Sequence, residues 1–66
     1  MQILVNGDSI ELLEGATLVD LLRHLSLLDA KVAIELNQSI VPRSQHAQQR
    51  LAHQDHVEIV HAIGGG

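Results

Sequence analysis

The sequence predicts a small α+β domain in which a single helix covers one face of a β-sheet of four to five strands. Three observations carry that prediction. Asn6-Gly7-Asp8 interrupts two alternating apolar stretches, which is the strongest short-range signal for a hairpin. Leu18, Leu21, Leu22, Leu25 and Leu28 recur at three- and four-residue spacing, placing one leucine stripe along a helix. The last apolar stretch, from His56 to Ile63, reads as a strand with Val57 and Ile59 inward and runs into Gly64-Gly65-Gly66.

Each element has its own local logic. Met1, Ile3 and Val5 point one way along a first strand, and Ile10 and Leu12 alternate in the second, so the hairpin spans Met1 to Leu13 with one apolar face. Thr17-Leu18-Val19-Asp20 opens the helix as a capping box, with the threonine hydroxyl on the Asp20 amide and the aspartate reaching back. The leucine stripe then packs onto the hairpin's apolar face. Val32 to Leu36 forms a third strand with Val32, Ile34 and Leu36 inward and Ala33 and Glu35 outward. Asn37-Gln38 makes a turn into a short extended piece, Ile40-Val41, which Pro42 stops because it has no amide hydrogen to donate. Arg43 to His53 is polar and reads as an irregular connection with a single helical turn, anchored by Leu51. In the final strand Val57 and Ile59 face inward, while Glu58, Val60 and Ala62 face away. One helix covers only one face of the sheet, so the opposite face is open for recognition.

The composition narrows the function. A chain of 66 residues supports one core, assigned to residues 1–63, followed by a flexible glycine tail at 64–66. There is no cysteine, hence no disulfide, no thiolate metal site and no thiol nucleophile. Aromatic residues are also absent, so Leu, Ile, Val and Ala fill the core alone. A formal charge of −4 repels phosphate backbones, and the lack of aromatic stacking platforms argues further against nucleic acid. No apolar run is long enough to span a membrane, and the N-terminus lacks the blocks of a signal peptide, so a cytoplasmic protein is expected.

Reactive chemistry concentrates in the tail. Glycine at the end leaves the terminal carbonyl of Gly66 unhindered, and Gly65 and Gly64 let an extended backbone enter a channel too narrow for side chains. Terminal glycines are otherwise frayed chain, so the reading depends on what precedes them. His46, His53, His56 and His61 invite a metal reading, but their spacing on a strand and a turn does not gather the imidazoles, and they are expected to be solvated or half-buried. Asp8, Glu11, Glu14, Asp20 and Asp29 fall on turns and helix caps, where carboxylates have a structural task. No G-x-x-x-x-G-K stretch is present to bind a nucleotide.

The whole chain resembles the ThiS family of thiamine-biosynthesis sulfur carriers, within the ubiquitin-like β-grasp fold. The resemblance rests on Met1-Gln2-Ile3 with Asn6-Gly7, Leu36-Asn37 leading into Ile40-Val41-Pro42-Arg43, Gln45 and Ala47 just after, and the glycine ending. Gly65 and Gly66 map onto the shared Gly-Gly, and Gly64 is an additional residue. The turn before the last strand, usually Gly-Asp in such carriers, is Gln54-Asp55 here, which places a strained positive φ on Gln54.

The resemblance implies a mixed sheet with the first and last strands side by side and parallel. It implies a carrier rather than an enzyme, with no cofactor of its own. A ThiF-like adenylyltransferase would use ATP to adenylate Gly66, and sulfur delivered through a persulfide would convert it to a thiocarboxylate for a ThiG-like thiazole synthase. Glu58, Val60 and Ala62 are the expected partner-binding face, with acidic groups steering a basic surface. The alternatives within the fold are a molybdopterin-synthase small subunit and a ubiquitin-like protein modifier. A plain interaction module with an inert end is the alternative outside that chemistry.

Overall fold

The computed structural model describes residues 1–61. The strands are β1 (Gln2–Val5), β2 (Asp8–Glu11), β3 (Val32–Leu36), β4 (Ser39–Ile40) and β5 (His56–His61), with one helix, α1 (Leu18–His24), between β2 and β3. They form one mixed sheet in the order β2-β1-β5-β3-β4. β1 and β5 run parallel at the centre, with Leu4 beside His56 and Val5 beside Val57, and every other pairing is antiparallel. This is the ubiquitin-like β-grasp arrangement, with the last strand inserted beside the first.

Both hairpins turn on two residues with positive φ. Asn6 (φ 50°) and Gly7 (φ 88°) join β1 to β2, while Asn37 (φ 50°) and Gln38 (φ 73°) join β3 to β4. That left-handed pair matches the right-handed twist of the flanking strands. Gln54 takes the expected positive φ, at 69°, in the turn before β5.

The capping box is present at the start of α1. Asp20 N–H donates to the Thr17 hydroxyl at 3.3 Å, and Thr17 N–H donates to Asp20 Oδ2 at 2.9 Å. The other free amides of the first turn are taken by residues 43–53, since Leu18 N–H donates to Gln49 O and Val19 N–H to His46 O. With Leu51 N–H on Ala16 O and a bridge between Thr17 and Arg50, that connection is pinned to the entrance of α1. Its one helical turn is a 3₁₀ segment, Arg43–Gln45, and Leu51 is buried as expected.

The helix is shorter than the leucine spacing implies. Ser26 adopts φ 59°, donates to Arg23 O, and lets Leu27 N–H donate to Leu22 O at 2.8 Å. These two bonds form a Schellman stop with serine in the left-handed position usually taken by glycine. The reversal brings Leu27 against the core and leaves Leu28 39% exposed, so Leu28 does not belong to the buried stripe. Leu18, Leu21 and Leu22 do, packed with Ile3, Val5, Ile34, Val57 and Ile59 on the inner face of the sheet.

A second correction concerns His46, which is 4% exposed rather than solvated or half-buried. Its Nε2 lies 2.9 Å from Val41 O; a carbonyl only accepts, so this nitrogen carries the proton. No helix among the described residues is long and apolar enough to cross a membrane.

Candidate functional site

The outward face of β5 is carried by the central region of the sheet, on the side α1 does not cover. Glu58 and Val60 are both exposed there, Val60 at 58%. Strand register places Glu58 directly opposite Glu35 on β3, and Val60 opposite Ala33. Glu35 is in turn opposite Ile40 on β4, which is 74% exposed. The open face therefore combines apolar groups with two facing carboxylates, a pairing that costs stability across a sheet. Among the described residues neither carboxylate pairs with a cation.

Ala62, the third member of the expected face, lies outside the described residues, as do Gly64, Gly65 and Gly66. The expected strand end at Ile63 and the boundary between residues 63 and 64 fall there as well. β5 is followed to His61, paired with Val32 of β3. It is held on its other flank by β1 and then by Asn6, whose side chain accepts from Ile59 N–H at 2.8 Å and donates to Ile59 O at 3.0 Å. Nothing in the hydrophobic pattern announced that contact, because it joins residues 53 apart through a turn asparagine.

The histidines do not form a centre. His53 Nδ1 accepts the Gln2 N–H at 3.0 Å, His46 is inside, and His56 and His61 are exposed at opposite ends of β5. Among the described residues no three His, Asp or Glu side chains gather as metal ligands would. A surface depression of about 510 Å³ lies away from β5 between α1 and the connection leading into it. It contains the Asp20–Arg23 ion pair, at 3.2 Å, and its acidic groups include Glu11, bound to the N-terminal ammonium at 3.0 Å. The Thr17 backbone amide, then the Thr17 hydroxyl and the Arg23 charge, hold the Asp20 carboxyl below its ordinary value. Asp20 is thus occupied in capping the helix, and Glu11 in binding the Met1 ammonium.

The sequence profile of the ThiS family matches residues 3–66, nearly the entire chain. The chain belongs to the ThiS family. Sulfur carrier protein ThiS of Escherichia coli is 38% identical over all of both chains. The crystal structure of the thiamine biosynthesis protein ThiS from Geobacter metallireducens superimposes with a TM-score of 0.85 at 29% identity, again covering both chains completely. A thiazole synthase of Magnetococcus marinus is 39% identical over the 66 residues, and the chain spans 20% of that protein's length. The sheet order and the parallel β1–β5 pair are thus those of a ThiS fold, with Glu58 and Val60 on its uncovered face.

Proposed function

We propose that this chain is a sulfur carrier of thiamine biosynthesis, a co-substrate that presents the Gly66 carboxylate to partner enzymes. The observation that carries the reading is the likeness to the E. coli sulfur carrier along the full length of both chains. A carboxylate is a poor acyl donor, because its leaving group would be oxide. In the proposed sequence a Gly66 oxygen attacks the α-phosphorus of ATP on a ThiF-like adenylyltransferase, pyrophosphate leaves, and an acyl adenylate forms. A persulfide sulfur then attacks the carbonyl carbon and AMP departs. Cleavage of the resulting S–S bond by a thiol leaves the thiocarboxylate on Gly66.

The carrier supplies the acyl carbon, while ATP binding and stabilisation of the developing charge belong to the partner. The sequence is suited to this division, since it has no cysteine to trap the activated acyl group as an internal thioester. A ThiG-like thiazole synthase is the proposed acceptor of the sulfur. Support comes from the M. marinus thiazole synthase, one polypeptide of which a fifth is similar to this chain.

Intact-mass measurement tests the reading. The chain is incubated with ATP, magnesium, the adenylyltransferase and a persulfide donor. The expected product has gained the mass difference of one oxygen replaced by sulfur, and a Gly65→Leu variant, too bulky for a narrow channel, stays unchanged. Adducts of target-protein size would identify a protein modifier instead, and an unaltered wild-type mass would reject carrier chemistry.

A further inference from the structure

β1 ends at Val5, and the Asn6-Gly7 turn carries the chain away into β2, yet β5 continues to His61. The backbone ladder between the two parallel strands closes with Asn6 N–H on Val57 O at 2.9 Å. One residue pair further, where β1 has no backbone left to offer, the Asn6 carboxamide takes both polar groups of Ile59. The side chain thus serves as one more strand residue. Its donor and acceptor arrangement suits the task, since the exchange with Ile59 needs one N–H and one oxygen side by side.

We infer that Asn6 is a positioning residue for carrier chemistry, whose carboxamide fixes the last doubly held point of β5. This rests on the carrier reading given above. Beyond Ile59 the described strand is held through β3 alone, where Val60 pairs with Ala33 and His61 with Val32. With Ile59 also secured by Asn6, the direction in which β5 leaves the sheet is set by two flanks rather than one. A partner that must align the chain's end with an ATP phosphorus gains from that restriction, because misplacement of reacting groups by about 1 Å can cost as much as 10²-fold in rate.

Asn6 also occupies a left-handed turn position, so the test must separate the two roles. Asn6→Gly keeps the turn conformation and removes the carboxamide. Asn6→Asp keeps an acceptor for Ile59 N–H but has no donor for Ile59 O. In both variants the sheet is expected to remain folded by circular dichroism. In Asn6→Gly, amide exchange at Ile59 is expected to accelerate about tenfold or more relative to Val57 in the same strand, as local opening replaces a held pair. With the adenylyltransferase, kcat at saturating folded carrier is expected to fall on the order of tenfold for Asn6→Gly. Asn6→Asp is expected to lie between that variant and wild type.

A variant with accelerated Ile59 exchange and unchanged kcat would make the clamp merely structural and overturn the inference. Unchanged exchange at Ile59 would overturn it at the level of the contact itself. Failure of the wild-type chain to be adenylated would reject the carrier reading, and Asn6's part in it, while the exchange ratio would still measure the clamp.

Discussion

Asn37 and Asp55 join the two turns at one end of the sheet, with Asn37 Nδ2 donating to Asp55 Oδ1 at 3.0 Å. Asn37 also accepts from His56 N–H at 2.9 Å, and Asp55 Oδ2 accepts from Ala52 N–H at 2.7 Å. The β3–β4 turn is therefore fastened to the point where β5 begins. Asn37 has φ 50°, so Asn37→Gly preserves the turn while removing its side-chain bonds. Such bonds contribute about 0.5–1.5 kcal/mol each, so Asn37→Gly and Asp55→Ala are each expected to lower unfolding stability by roughly 1–2 kcal/mol. The double variant is expected to lose less than the sum in a urea-denaturation cycle, whereas strict additivity would mean that the two residues act independently.

The leucine stripe makes a sharper contrast. Leu21 is 0% exposed within the core, whereas Leu28 is 39% exposed beyond the Schellman stop. Leu21→Ala leaves a cavity and is expected to cost about 2–5 kcal/mol. Leu28→Ala is expected to stay within about 1 kcal/mol of wild type. Urea midpoints at constant m-value measure both, and comparable losses at the two sites would contradict the packing described.

These particulars show where local pattern is sufficient and where it is not. Asn6-Gly7, Thr17 with Asp20, and the alternation of β3 and β5 act over a few residues, and their signals survive in the sequence. The end of α1 was hidden because serine at position 26 has no special preference for φ 59°, while periodicity carried the apparent stripe on to Leu28. Burial of His46 and the Asn37–Asp55 and Asn6–Ile59 contacts depend on tertiary proximity, which periodicity does not encode. The parallel β1–β5 pair was likewise beyond periodicity and was anticipated through family resemblance alone. For the candidate site, alternation sufficed to put Glu58 and Val60 outward, but the opposing Glu35 required the strand register.

Asp20 links helix capping to pH. Its carboxyl titrates below the ordinary value of 3.8 in the folded chain, chiefly because the Thr17 amide donates to the ionised form. The unfolded chain therefore takes up this proton first as pH falls. The stabilisation is complete above the unfolded value and is lost as pH drops through the lower folded one. Asp20→Asn is expected to be less stable than wild type at neutral pH, with the gap narrowing below pH 3.8. Thermal melts across that range read the difference, and a gap constant with pH would assign the effect to shape rather than charge.

Glu58 offers a test of the proposed partner face, because the effects expected on recognition and on stability have opposite signs. It faces Glu35 across the β3–β5 ladder, so Glu58→Lys replaces a repulsive pair by an attractive one. Unfolding stability is expected to be unchanged or to rise by about 0.2–1 kcal/mol. If this face meets a basic partner surface, the same substitution slows encounter, and kcat/KM for adenylation is expected to fall, most at low salt. Val60→Gln, altering a side chain 58% exposed, is expected to leave folding nearly intact while weakening the same step through lost apolar contact. Steady-state adenylation at two ionic strengths, paired with urea denaturation, reads both quantities. Unchanged kinetics in both variants would move the partner surface off β5, whereas parallel losses of stability and rate would make its effect a folding defect.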